Sequence, residues 1–290
     1  MFNQANELAT RCKALSDLNR LRIVALCRGG EVSVGELVDI LGQSQPRVSQ
    51  HLKLLCDAGL LRRFRDGKRA FYRLPSPTGP ALRQLIALLP DDEDLDRDAE
   101  RLRTLRGLQL PPDEGDDPVN RALARALIDL TVAAPLGDLL DVGCGHGRVL
   151  KLLAGRANRA VGVDIDGDAR DAARKAVFLA GLENCSLRQG DMYQLPFDDR
   201  SFDTIVLDDV LAAASDPKRA LVEATRLLRP NGRLIVLSRT DADSADQSAQ
   251  LAVQCRDAGL RMGPPRLLPA TEPRWLLSVL TISNAERSAA

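Results

Sequence analysis

No apolar run in the 290-residue sequence approaches the roughly 18 residues needed to cross a bilayer, which excludes a helical membrane protein. Cysteine is sparse: the six, at positions 12, 27, 56, 144, 185 and 255, form no C-x-x-C pair and no dense framework, so a disulfide scaffold is excluded. The opening residues, Met1 to Glu7, lack the basic start and apolar core of a signal peptide. A reduced, cytoplasmic protein is expected. Net charge is also missing, with 40 Lys+Arg against 40 Asp+Glu, and 44% of residues are apolar. That balance excludes collagen, coiled-coil fibre and wholesale disorder. At roughly 150 residues per domain, the length favours two domains.

The zero net charge hides an asymmetry. Residues 1–89 carry 14 Lys/Arg against 7 Asp/Glu, and the remainder carries 26 against 33. A basic first third followed by an acidic remainder predicts two domains, the first facing a polyanion. Between them, residues 91–117 hold 11 acids and 4 arginines, with Pro111-Pro112 near the end. This predicts a short charged helix and then an extended linker. The expected division is 1–90, 91–117 and 118–290.

In the first third, Leu18, Leu21, Val24 and Ala25 follow helical spacing, with Ser16 as the expected N-cap and Gly29-Gly30 as the stop. Ser33-Val34-Gly35-Glu36 has the form of a capping box and opens a second helix ending at Gly42. Ser44 is the expected cap of a third helix, 45–58, with Val48, Leu52 and Leu55 as its buried stripe. Residues 60–65 and 68–74 then alternate apolar and polar about Asp66-Gly67, the signature of a β-hairpin. Six basic residues fall within 62–73, together with Phe64, Phe71 and Tyr72. A helix-turn-helix followed by a basic hairpin is a winged helix, whose third helix enters a major groove while the wing holds phosphates or reaches a minor groove. Ser44, Gln45, Arg47, Ser49 and Gln50 lie on the outward side of that helix, with Lys53 at the margin. Arg65, Lys68 and Arg69 are the candidate wing contacts. Gln and Arg can make bidentate contacts with adenine and guanine edges. His51 flanks the buried stripe and is expected to be structural.

The stretches LSDLNRLRIVALC and VSVGELVDILGQSQPRVSQHLKLLCDAGLLRRFRDGKRAFYRL resemble the ArsR/SmtB winged-helix repressors over residues 5–89. The resemblance implies a homodimer, formed by the first helix and the one near 80–89, on a near-palindromic operator. Many of these repressors sense metals through a cysteine pair on the helix before the turn. Here Val34-Gly35-Glu36-Leu37-Val38 has no cysteine, and the chain holds two histidines, so no metal site is expected.

In the remainder, the apolar strand 138–142 runs into Gly143-Cys144-Gly145-His146-Gly147 and a helix from Arg148. Glycines there let the backbone touch a ligand and aim helix N-terminal amides at it, although a glycine turn alone is also ordinary turn chemistry. A second strand, 160–165, carries Asp164, 23 residues after Asp141, where an acid can accept both ribose hydroxyls. Helix 168–180, strand 185–189, strand 202–207 ending at Asp208-Asp209, helix 217–229, the turn Pro230-Asn231-Gly232 and strand 233–238 follow. A helix at 244–258 and short strands near 266–268 and 275–282 complete the pattern. Alternating strands and helices imply a largely parallel sheet with its ligand at the strands' carboxyl ends.

The segments LLDVGCGHGRVL, AVGVDID, GDMYQLPFDDRSFDTIVLDDVL and LLRPNGRLIVL, in this order, resemble the class I S-adenosylmethionine-dependent methyltransferases over about 118–283. The resemblance implies an α/β, Rossmann-like domain with a mostly parallel seven-stranded sheet, set behind the N-terminal winged helix-turn-helix domain. It also implies that Asp141, Gly143 and Gly145 flank the methionine part of S-adenosylmethionine or S-adenosylhomocysteine. Asp164 would bind ribose, Ile165 would pack on adenine, Asp191 and the Met192 amide would read the adenine edge, and Asp208 would close the site. Asp208, Asp209 and His146 are candidates for orienting or deprotonating a methyl acceptor. Ala212-Ala213-Ala214 stand where relatives often carry polar or aromatic residues, and no NPPY motif for nucleic-acid amino groups is present. Three functions stay open: a DNA-binding regulator sensing S-adenosylmethionine or S-adenosylhomocysteine, a methyltransferase of a small metabolite that represses its own operon, and a metal-responsive repressor with an inert appended fold.

Overall fold

The computed structural model describes residues 3–75, 79–90, 92–107, 118–240, 244–269 and 275–283. Two compact units emerge, one of residues 1–111 with 174–186, the other of residues 112–173 with 187–290.

The first unit opens with helices α1 (Asn3–Leu15) and α2 (Leu18–Arg28). Asp17, not Ser16, caps α2, accepting from the Arg20 amide at 3.1 Å. The Ser16 hydroxyl instead bonds back to the Lys13 carbonyl at 2.7 Å, closing the end of α1. Strand β1 (Val32–Ser33) leads into α3 (Val34–Leu41), where Ser33 and Glu36 form the expected reciprocal cap. Gly42, at φ +61°, makes the left-handed turn that a side chain would strain. The chain then enters α4 (Gln45–Asp57), with Val48, Leu52 and Leu55 buried. Ser44 stands at the cap position without a side-chain cap bond.

Strands β2 (Arg62–Asp66) and β3 (Arg69–Arg73) form the hairpin, and β1 pairs with β3. The ladder runs to Asp66↔Arg69, so the turn is Gly67-Lys68, one residue later than expected. Asp66 stays in the ladder because its side chain is buried and paired with an arginine. Helices α5 (Pro80–Ala87) and α6 (Glu93–Leu105) follow. The acidic segment expected to act as a linker is thus partly a core element, with Leu102 buried among Ile23, Leu37 and Leu52. Arg22 grips Asp98 of α6 at 2.6 and 2.8 Å, and Arg106 grips Glu36 at 2.6 Å. The extended stretch expected before 117 falls at 108–117, outside the described residues.

The second unit begins with α7 (Pro118–Ala133), a helix the sequence reading did not single out. Strand β4 (Asp138–Val142), α8 (Arg148–Leu153), β5 (Arg159–Asp164) and α9 (Gly167–Leu179) follow, then β6 (Cys185–Gln189), β7 (Phe202–Asp208) and the short α10 (Val210–Ala213). Next come α11 (Pro217–Leu227), β8 (Leu228–Arg239), α12 (Ser244–Asp257), β9 (Leu260–Met262), β10 (Arg266–Leu268) and β11 (Trp275–Ile282). Seven strands run in the order β10-β11-β8-β7-β4-β5-β6, and the additional short β9 pairs with β11.

The pairs β4–β5, β4–β7 and β7–β8 are parallel, whereas β11 runs antiparallel to β8. Their central residues, such as Leu140, Val163, Ile205 and Val236, are buried, as in a sheet covered on both faces. Pro230-Asn231-Gly232 is not a separate turn. The register jumps between Phe202↔Leu228 and Thr204↔Arg233, so these residues form a bulge inside a continuous β8. A Cβ on Gly232 would lie 2.8 Å from the Asp203 carbonyl, which explains the glycine.

Candidate functional sites

The strand order reverses at β4, with β5 on one side and β7 on the other, so their carboxyl ends flank one crevice. The glycine turn leaves β4 there. Gly143, Gly145 and Gly147 have φ of +66°, +50° and +79°, a run that side chains would resist. A Cβ on Gly143 would meet Val210 at 2.5 Å, whereas a Cβ on Gly145 would meet nothing within 4 Å. Gly143 therefore serves packing, and Gly145 leaves open space above the turn. The Gly145 amide donates to Asp164 Oδ2 at 2.8 Å, and the Asp166 amide donates to Oδ1 at 2.9 Å. Asp164 is thereby fixed at the end of β5. Ile165 beside it is 69% exposed, unusual for so large an apolar side chain. The Gly190 amide reaches the Asp164 carbonyl at 3.2 Å, bringing Asp191 and Met192 to the same edge. Asp191 Oδ1 accepts from the Tyr193 amide at 3.0 Å, and Met192 packs on the core.

Asp141 is only 1% exposed, and neither carboxylate oxygen has a hydrogen-bond partner among the described residues. Burial pushes its pKa well above the ordinary range, the Asp208 charge pushes it further, and Arg148 opposes the rise. A buried carboxyl with no internal partner, an open glycine turn, a ribose-height acid and an exposed apolar residue together fit a nucleoside bearing an amino acid tail.

The other end of the crevice is a polar cavity of about 900 Å³ that includes His146, Asp208 and Asp209. Three residues missed by sequence reasoning shape it. Arg148, directly after the glycine turn, holds Asp208 through Nη2 at 2.6 and 2.8 Å. Arg239 pairs with Asp209 at 3.2 Å, and its amide donates to the same carboxylate at 3.1 Å. Asp209 adopts φ +61° to receive both. Trp275 takes the two guanidiniums on its ring at 4.5 and 5.4 Å. That Trp275 is the chain's one tryptophan was the available signal. The pairings themselves span up to 60 residues and leave no local pattern.

In the first unit, Ser44, Gln45, Arg47, Ser49 and Gln50 are all exposed along α4, as is Lys53. Arg65, Lys68 and Arg69 are exposed on the hairpin, with Arg62 and Arg63. His51 is half-buried, its Nδ1 lying 3.9 Å from Asp17, the cap of α2.

Comparison with known proteins assigns both regions. Residues 17–63 match the family described as bacterial regulatory protein, arsR family, and residues 140–236 match the methyltransferase domain. The biofilm growth-associated repressor of Xylella fastidiosa is 43% identical over 74 residues, covering 26% of this chain and 65% of that protein. Nocamycin O-methyltransferase of Saccharothrix syringae is 38% identical over 117 residues, covering 39% of this chain and 42% of that enzyme. A SAM-dependent methyltransferase from Aquifex aeolicus superposes with a TM-score of 0.50 at 20% identity, over 58% of this chain and 95% of that one, and so shares the fold. The chain spans between 36% and 65% of the length of these and the other curated relatives that head the comparison. No described helix is long and apolar enough to cross a membrane. The chain joins an ArsR-family helix-turn-helix region, residues 17–63, to a Rossmann-like methyltransferase domain, residues 140–236.

Proposed function

We propose that the protein is a cytoplasmic, operator-binding regulator whose methyltransferase domain takes S-adenosylmethionine or S-adenosylhomocysteine as an effector. Residues 1–90 would form the DNA-binding domain, dimeric through α1 and α5, and residues 118–290 the ligand domain. On the DNA side, Gln45, Arg47 and Gln50 would face base edges, with Ser44 and Ser49 beside them. Arg65, Lys68 and Arg69 would hold phosphates. On the ligand side, Asp164 would take the ribose, Ile165 the adenine face, and Asp191 with the Met192 amide its edge. Asp141, Gly143 and Gly145 would flank the amino acid tail, with Asp208 beneath it. S-adenosylmethionine, when bound, supplies an electrophilic methyl group on a sulfonium.

One observation carries the effector reading over catalysis: Asp208 and Asp209, the acids at the methyl end, are each engaged by an arginine. Both carboxylates are taken up by these pairs rather than held open toward an acceptor. A ligand that binds unequally to the DNA-competent and DNA-incompetent forms must shift operator affinity, typically by a coupling of about 1–3 kcal/mol. Titrating the protein onto the DNA upstream of its gene, with and without each ligand at constant salt, tests this. A several-fold shift supports it, and affinity indifferent to both ligands overturns it.

The cavity beside the glycine turn favours a second reading, methyl transfer to a small metabolite, because about 900 Å³ leaves room for an acceptor. Alignment of the acceptor would then supply most of the catalysis, with His146 exposed to orient it. Turnover of S-adenosylmethionine against extracts separates the two readings.

A further inference from the structure

The first unit contains a buried charge cluster that neither the DNA-facing residues nor the ligand site uses. Residues 174–186 belong to this unit, and the Arg174 side chain is only 6% exposed. Its Nη2 lies 2.8 Å from Asp66 Oδ2 and its Nε 3.2 Å from Glu31 Oε2. The guanidinium also lies 4.0 Å from the Phe71 ring centroid. Asp66 is the last ladder residue of β2, immediately before the Gly67-Lys68 turn, and Phe71 is on β3. Glu31 immediately precedes β1, whose Ser33 pairs with Phe71. One side chain thus touches both strands of the hairpin and the approach to the strand beside it. Phe178, one turn further along α9, is held as well: Arg106 lies 4.6 Å from its ring, and a Cβ on Gly29 would come within 2.8 Å of it.

Two exposed basic residues flank this anchor. Arg65 precedes Asp66 and Lys68 follows it by two, both with side chains in solvent. β1 pairs only with Phe71 and Tyr72, so the part of the hairpin nearer the turn is two-stranded, and such a ribbon is marginal without support. A planar guanidinium fixes two carboxylates more tightly than an ammonium, because its donors form a rigid fork.

We propose that Arg174 is the positioning residue of the wing: by holding Asp66, Glu31 and Phe71, it sets where Arg65 and Lys68 meet DNA phosphates. The inference rests on the hairpin being a DNA-contacting wing.

The test measures operator affinity and its salt dependence for the full-length chain. Arg174→Gln should weaken binding about 10-fold and make the log K against log salt slope shallower by about 1–2, as one or two phosphate contacts are lost. Arg174→Lys should fall between it and the parent, since charge remains but the fork and stacking do not. If Arg174→Gln fails to fold, the neutral combination Arg174→Gln, Asp66→Asn, Glu31→Gln removes all three charges of the cluster together and should show the same shallower slope. A folded variant with parental affinity and slope overturns the proposal. Arg65→Ala with Lys68→Ala separates the two levels. If that pair leaves the slope unchanged, the wing reading itself fails; if it flattens the slope while Arg174→Gln does not, only the role of Arg174 fails.

Discussion

Charge is buried in both units, and the two treat it differently. In the first, buried charges are closed on one another: Arg174 with Glu31 and Asp66, Arg22 with Asp98, Arg106 with Glu36. In the second, Asp141 is buried to the same degree at the foot of the glycine turn, and its carboxylate has no hydrogen-bond partner among the described residues. A closed cluster costs desolvation and returns it as fixed geometry, which suits the proposed role of the hairpin in presenting cations at set positions. An open buried carboxyl is a standing cost that the folded protein carries without internal compensation, and a ligand is the natural source of its partner. The contrast separates architecture from recognition more sharply than burial alone does.

The largest expected effect breaks the closed side. Arg174→Met leaves Asp66 and Glu31 buried without this counter-charge and should cost about 3–5 kcal/mol of stability, measured by denaturant unfolding. Asp141→Asn should do the reverse to the open side. It is expected to stabilise the unliganded protein at neutral pH by about 1–3 kcal/mol while weakening S-adenosylhomocysteine binding. The pH dependence follows from the raised pKa. The unfolded chain loses this proton near the ordinary value of 3.8, whereas the folded chain keeps it to higher pH. Across that window the folded state binds more protons, so Asp141's contribution to stability falls as pH rises, and Asp141→Asn should remove that fall. Unfolding series at several pH values, for parent and variant, check both the sign and the window.

Gly145→Ala is a smaller perturbation. The φ of +50° costs an alanine about 1 kcal/mol, but no atom stands within 4 Å of the new methyl group, so the protein should fold. The methyl projects into the crevice, and calorimetry should show ligand affinity falling further than stability does. Smallest in stability is Lys68→Ala on the wing, expected within about 0.5 kcal/mol because the side chain is exposed. Its operator affinity should fall at low salt, with a slope shallower by about 1.

Local signals proved legible where one residue's conformation decides the structure. The Ser33–Glu36 cap, the left-handed Gly42, the hairpin and the glycine turn after β4 all depend on chemistry within a few residues. Where local options were nearly equal, tertiary contacts chose. Asp17 rather than Ser16 capped α2, and the hairpin turned at Gly67-Lys68 because Asp66 was needed inside. Pro230-Asn231-Gly232 read as a turn, yet β8 carries these residues as a bulge against β7. Helix α6 read as linker because of its acids, yet Leu102 and Asp98 tie it into the core. The site was half legible. Strand-end acids and glycines are spaced by the fold's own period, whereas Arg148–Asp208, Arg239–Asp209 and Arg174–Asp66 join distant segments and leave no trace in spacing.

The central claim is that ligand binding in the methyltransferase domain changes what the winged helix does on DNA. Operator titrations at fixed salt, run with the protein alone and saturated with S-adenosylhomocysteine, test it most directly. A several-fold shift in operator affinity, in either direction, is the predicted result. Equal affinity, with calorimetry showing the ligand bound, would contradict it and leave methyl transfer as the purpose of the second domain.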